Sequence, residues 1–281
     1  MNVVKAFRAE WLKLRKRPAV WILFIALTAI VLLFGYVALW AFATQAPPEA
    51  AQGAPEADLI LQALAPAGMP AQVASLVSSF GSAFGLIVGA LAVGSEYGWS
   101  TIKTVTTQRP GRVALFSGRA LALLGVCLLL TLGAFLGGAA GTGLVSALAQ
   151  VDTTLPGAGD TAAAVGTSLL VIALWCALGV CFATLFRGTG WAIGFGLLYA
   201  YALEFLLGQV PLRGRAGELL ADALINNNTT ALVLWLTPDE LDVFAGATVD
   251  IEPVQAVGVL LAYLVVALLV ATVVYARRDI A

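Results

Sequence analysis

Histidine does not occur in this chain of 281 residues. Its absence removes imidazole metal ligands, histidine proton relays and Ser-His-Asp catalysis. Charge is scarce as well, with Asp, Glu, Lys and Arg making up 11% of the residues, against about 25% in a soluble domain. Only four lysines occur (Lys5, Lys13, Lys16, Lys103), and none follows a glycine. A G-x-x-x-x-G-K-[ST] phosphate loop is therefore excluded. The three cysteines, Cys127, Cys176 and Cys181, lie inside apolar runs. There they read as small hydrophobes rather than as disulfide partners or metal ligands.

What the chain has instead is apolar surface. Hydrophobic residues make up 60% of it, and the mean hydropathy is +0.95. So few charges cannot cover a globular surface, and disorder requires the opposite composition. The fold class that follows is an all-α integral membrane protein. A bilayer span needs about 20 mostly apolar residues. Six stretches qualify, at 19–43, 73–94, 120–149, 163–186, 191–210 and 255–275. The 11 prolines fall outside them or at their borders, as expected when proline costs a helix interior about 3 kcal/mol.

Lys and Arg set the orientation. With both termini on the cytoplasmic side (N-in, C-in), 13 of the 15 basic residues lie inside and only Arg213 and Arg215 outside. Of the 16 acids, 12 fall in the three outer loops. Ala41-Phe42-Ala43 resembles a signal-peptidase site, but the apolar run before it is longer than the 7–15 residues of a signal peptide. An uncleaved first span is the expectation.

The first outer loop, 44–72, carries a candidate short helix at Asp58–Leu64. The last, 211–254, holds two apolar pieces, Glu218–Ile225 and Thr230–Leu236, which we expect to dip into the membrane as re-entrant helices. Asn226, Asn227 and Asn228 between them read as a turn or helix cap, although two N-x-[ST] sequons also begin there.

Four features carry functional weight. Residues 2–17 form a basic amphipathic helix with Val4, Phe7, Trp11 and Leu14 on one face, suited to the headgroup region. It serves as a topology anchor or also packs laterally against a partner. The cytoplasmic loop between spans 2 and 3 joins Glu96 to Tyr97 and Trp99, a short amphipathic piece from Thr101 to Thr107, and basic Lys103, Arg109 and Arg112. Glycines recur every four residues at Gly81, Gly85 and Gly89, at Gly133, Gly137 and Gly141, and at Gly190 and Gly194. Such faces let helix backbones approach closely, and tight packing is preferred to substrate contact. Finally, Glu204 is the one ionisable residue well inside a span, roughly 21 Å from its start. A carboxylate there is a pathway candidate or a structural hydrogen-bond acceptor.

Together these features resemble the membrane subunit of an ABC-2-type ABC transporter. The matching residues are Glu10-Trp-Leu-Lys-Leu-Arg-Lys-Arg-Pro18, Gly94-Ser-Glu-Tyr-Gly-Trp-Ser-Thr-Ile-Lys103 with Arg109-Pro-Gly-Arg112, and Tyr275-Ala-Arg-Arg-Asp279. The likeness covers essentially the whole chain, 1–281, as one transmembrane domain. It implies a connecting helix at 2–17, a coupling loop at 95–119 that docks on a cytoplasmic ABC ATPase, and re-entrant helices within 211–254. It also implies a second permease subunit, with a homodimer as the simple case, in a prokaryotic cell membrane. ATP and magnesium would sit on the partner ATPase, with no cofactor, metal, catalytic residue or nucleic-acid partner for this chain. The cargo of such a permease would be a drug, lipid or peptide exported by alternating access. The alternatives are an ion-coupled secondary transporter, which should show internal repeats and several midplane charges, and a membrane scaffold or assembly protein without an ATPase.

Overall fold

The computed structural model describes residues 3–45, 57–98, 112–149, 153–209, 214–238 and 250–277. Among them every regular element is helical. The chain begins with α1 (Val3–Arg15). Arg17 is extended and Pro18 opens α2 from the first turn, where a missing N–H costs nothing. The first span is then α2 (Pro18–Gln45). The short α3 (Ala57–Leu64) leads into α4 (Pro66–Ser95), whose helix continues to Gly98. Next come α5 (Arg112–Ala149), α6 (Ala158–Phe186) and α7 (Thr189–Gly208). The chain ends with α8 (Arg215–Ala223), α9 (Ile225–Leu236) and α10 (Pro253–Arg277).

Six of these helices are long and apolar enough to cross a membrane. The second and fourth spans begin earlier than hydropathy alone predicts, at Pro66 and Ala158 rather than at 73 and 163. Polar residues in these first turns are accommodated. The Gln72 amide donates to the Gly35 carbonyl, and Asp160 sits in the first turn of α6, where the helix dipole favours an anion.

The core lies between α4, α5 and α6, around Leu86, Leu130, Ile172 and Leu174. The spans at the edge are less covered: 61% of the apolar window of α6 is buried, against 17% for α7 and for α10. Leu128, Leu132 and Leu136 on α5 and Val265, Val266 and Leu269 on α10 remain exposed. In water such surface would aggregate; in a bilayer it meets lipid.

Glycine determines how closely the core helices approach. A methyl at Gly85 or Gly89 would collide with the carbonyls of Ile172 and Cys176 on α6, and one at Gly179 with the carbonyl of Leu86 on α4. Gly81 faces Val77 and Ile172. On α5, Gly133 and Gly137 receive Phe24 and the Thr28 carbonyl of α2, and Gly141 receives the Tyr36 ring. Gly190 and Gly194 differ, because a Cβ at either would meet nothing within 4 Å. Their spacing belongs to an open face of α7 that also carries Trp191, 78% exposed.

Three spans contain a π-helical turn, at Leu33–Val37, Val77–Gly81 and Tyr199–Leu203. Such turns release carbonyls from the regular ladder and gather at functional positions. Here Gly35 O accepts the Gln72 amide at 3.2 Å and Ser79 O accepts the Tyr201 hydroxyl at 2.7 Å. The irregular backbone is satisfied by a neighbouring span, as a lipid surround demands.

Candidate functional site

Two polar centres stand at opposite ends of the bundle. Along α4, Ser95 faces one and Ser78 the other, roughly 25 Å apart at the helical rise.

The first is built by α1. Its amphipathic pattern placed Val4, Phe7, Trp11 and Leu14 on the covered face, but the structure rotates that face. Ala6, Glu10 and Leu14 are buried, Phe7 and Trp11 pack against the core from its border, and Val4 is 55% exposed. The reason is that α1 lies on α5 itself, not only on lipid. Gly118 of α5 meets Ala6 and the backbone of Phe7, and Gly125 meets the Trp11 ring. Phe7 and Trp11 stack at 6.3 Å. Glu10 thereby reaches the buried Arg119, whose guanidinium nitrogen donates to Oε1 at 3.4 Å, while Lys13 lies 3.5 Å from Oε2. Arg17 extends the attachment to α4, donating to Leu91 O at 3.0 Å and Ser95 Oγ at 3.1 Å.

The second centre surrounds Glu204, which is 2% exposed. Its oxygens accept the backbone N–H groups of Ile225 (3.1 Å) and Asn226 (2.6 Å). These are the first two residues of α9, donors that a helix leaves unpaired at its start. A carboxylate of α7 thus caps another helix, at the end where the dipole favours negative charge. Glu204 thus makes structural hydrogen bonds to a neighbouring helix.

The asparagine run also does something other than break the chain. The break is at Leu224, which is extended with ψ 129, and Asn226, Asn227 and Asn228 lie in the first turn of α9. The Asn227 amide turns back to donate to Ala221 O, and the Asn228 amide to Asp222 O and Leu224 O. Tyr263 of α10 donates to Ala223 O at 3.0 Å. The last carbonyls of α8 are thus satisfied by side chains. Asparagine acts as a cap here because its amide supplies donors that a helix end lacks.

A cavity of about 340 Å³ opens beside Glu204. Ser78, Ser79 and Ser82 of α4 line one wall, Tyr201 and Phe205 of α7 another, and Trp175 of α6 the floor. Ser82 Oγ and Tyr201 Oη lie 3.2 Å apart. Sequence reading singled out Glu204 but missed its companions. Their signal was present: Ser78 and Ser82 are one helical turn apart, and Tyr201 precedes Glu204 by three residues, on the same face.

Among the residues expected to form a coupling contact, Glu96 and Tyr97 lie in the last turn of the α4 helix and Arg112 begins α5. Their side chains, and the whole of Trp99, Thr101, Lys103 and Arg109, lie outside the described residues. The three cysteines are free and buried. Among the described residues no three His, Cys, Asp or Glu side chains come together as metal ligands would.

A family model described as ABC-2 family transporter protein matches residues 6–203. That range begins inside α1 and ends one residue before Glu204. No curated protein matches the chain.

Proposed function

Since the chain belongs to the ABC-2 family of transporter proteins, we propose that it is the permease subunit of an ATP-driven exporter, working with separate cytoplasmic ABC ATPases. The observation that carries this reading is the family match across α1 and the first five spans, in a chain without a phosphate loop. Hydrolysis then belongs to a partner, which holds ATP and magnesium. The membrane is the plasma membrane of a prokaryotic cell, with both termini inside, and α8 and α9 form the re-entrant pair.

The α1 centre supports a coupling role for its surroundings. The loop 99–111 leads into α5, and α5 is keyed to α1 by the Glu10–Arg119 pair and by Gly118. An ATPase that pushes on the loop through Glu96, Tyr97, Trp99, Thr101, Lys103, Arg109 and Arg112 would move α1 and α5 as one body. A second permease subunit, identical in the simplest arrangement, would cover the open face of α7 at Gly190, Trp191 and Gly194. Access to the pathway between the two subunits would then alternate with the ATPase cycle. The cargo in this reading is hydrophobic or amphipathic.

Affinity purification of the full chain from its native membranes in mild detergent, followed by mass spectrometry, tests the assignment. The expected result is co-purification of an ATPase that carries the phosphate loop absent here. Its loss on combined Glu96→Ala and Arg109→Ala substitution would place the contact in the loop. Recovery of the permease without any ATPase, across several detergents, overturns the reading in favour of an ion-coupled carrier or a scaffold.

A further inference from the structure

We propose that the cavity beside Glu204 binds an ammonium group, the charged end of a small amphipathic cation. Proton accounting around the cavity leads there. The Ser78 hydroxyl donates to Ala74 O at 2.8 Å, and the Tyr201 hydroxyl donates to Ser79 O at 2.7 Å. With the Tyr201 proton engaged, the 3.2 Å contact between Ser82 and Tyr201 leaves Ser82 as its donor. Three hydroxyl protons are thus used within the protein, so Ser78, Ser82 and Tyr201 offer the cavity lone pairs, beside the Ser79 hydroxyl and the Asn226 amide that also line it. A ligand that fits such a wall brings donors.

Charge points the same way. Each oxygen of Glu204 accepts a backbone N–H, the pattern of an ionised carboxylate. A helix N-terminus supplies only about half a positive charge, and among the described residues no Lys or Arg lines the cavity. About half a negative charge is therefore left over in a weakly screened place. Trp175 adds an aromatic ring to the lining, and organic cations are attracted to aromatic rings. The volume of about 340 Å³ suits a small ligand, and Phe205, 62% exposed at the mouth, can carry an apolar tail toward lipid. That this cation is cargo rests on the permease reading; that it binds rests on the cavity alone.

Equilibrium dialysis of the purified full chain in a neutral maltoside detergent against radiolabelled octylammonium tests it, with octanol as the uncharged competitor. Saturable binding is expected, weakened roughly tenfold or more by Glu204→Gln and about threefold by Ser82→Ala or Tyr201→Phe, with no competition from octanol. Unsaturable uptake, equal affinity in all variants, or equal competition by octanol overturns the proposal. Should Glu204→Gln fail to fold, Ser82→Ala and Tyr201→Phe decide, because both keep Glu204 and its two backbone partners; unchanged affinity in both overturns it. Dialysis needs no ATPase, so a failed ATPase capture and a failed cation measurement are separate results.

Discussion

Glu10 and Glu204 are both carboxylates withdrawn from water, 7% and 2% exposed, and they are held in different ways. Glu10 faces full positive charges, Arg119 at 3.4 Å and Lys13 at 3.5 Å. Glu204 faces neutral donors, the two N–H groups that open α9 and the Tyr199 hydroxyl. The first arrangement neutralises its carboxylate and fastens α1 to α5. The second leaves residual negative charge beside an open cavity. A buried carboxylate is thus a fastening in one place and a binding feature in the other, and the difference is whether the partner carries a whole charge or a partial one.

That contrast can be broken most severely at Glu10. Glu10→Ala removes the carboxylate that faces a buried arginine, a change expected to cost about 3–5 kcal/mol. Thermal unfolding in detergent measures it, and Glu10→Ala combined with Arg119→Met should recover most of the loss. An equal loss in the double variant would mean that packing, not charge, fastens α1.

Glu204→Ala is expected to cost less, about 2–4 kcal/mol, because only neutral donors lose their acceptor. The damage should be local. Hydrogen exchange at the Ile225 and Asn226 amides should rise while α1 is unchanged, and Glu204→Gln, which keeps one acceptor oxygen, should restore about half the protection.

The attachment of α1 to α4 is weaker again. Arg17→Ala loses contacts to Leu91 O and Ser95 Oγ, about 1–2 kcal/mol, visible as faster proteolysis at the Arg15–Arg17 turn without global unfolding. Tyr201→Phe is the mildest change, about 1 kcal/mol. It should appear as faster exchange across Val77–Gly81, where the Ser79 carbonyl loses its donor.

Much of the architecture was legible in the sequence because lipid imposes a simple rule. A segment that must satisfy its own backbone in hydrocarbon becomes a helix of predictable length, and the six spans follow from it. The glycine spacing at Gly85, Gly89, Gly133 and Gly137 was equally readable, although the spacing did not say which helix would fill each notch. Identical spacing at Gly190 and Gly194 is left open. Periodicity marks a face but not its neighbour.

The misplaced features share a cause. The α1 stripe was judged by hydrophobicity, and Glu10 was left off the covered face because its partner, Arg119, lies 109 residues along the chain. The Asn run was read as a turn or a helix cap, and it is the cap, although a local pattern could not say that its amides serve the preceding helix. Ser78, Ser82 and Tyr201 were unremarkable singly. They acquire meaning only when α4 and α7 bring them to one cavity, with Ser82 and Tyr201 3.2 Å apart.

Composition and pattern alone determined that this chain resides in a bilayer, how many times its helices can cross it, and which family of membrane proteins it resembles. The first two depend on the energy of moving side chains and backbone between water and hydrocarbon, which is summed residue by residue, and the third on short motifs such as Gly94–Lys103. Which carboxylate is neutralised and which is left charged beside a cavity was decided by the tertiary structure alone. Electrostatic pairing depends on distances between residues far apart in sequence, and only the packed helices set those distances.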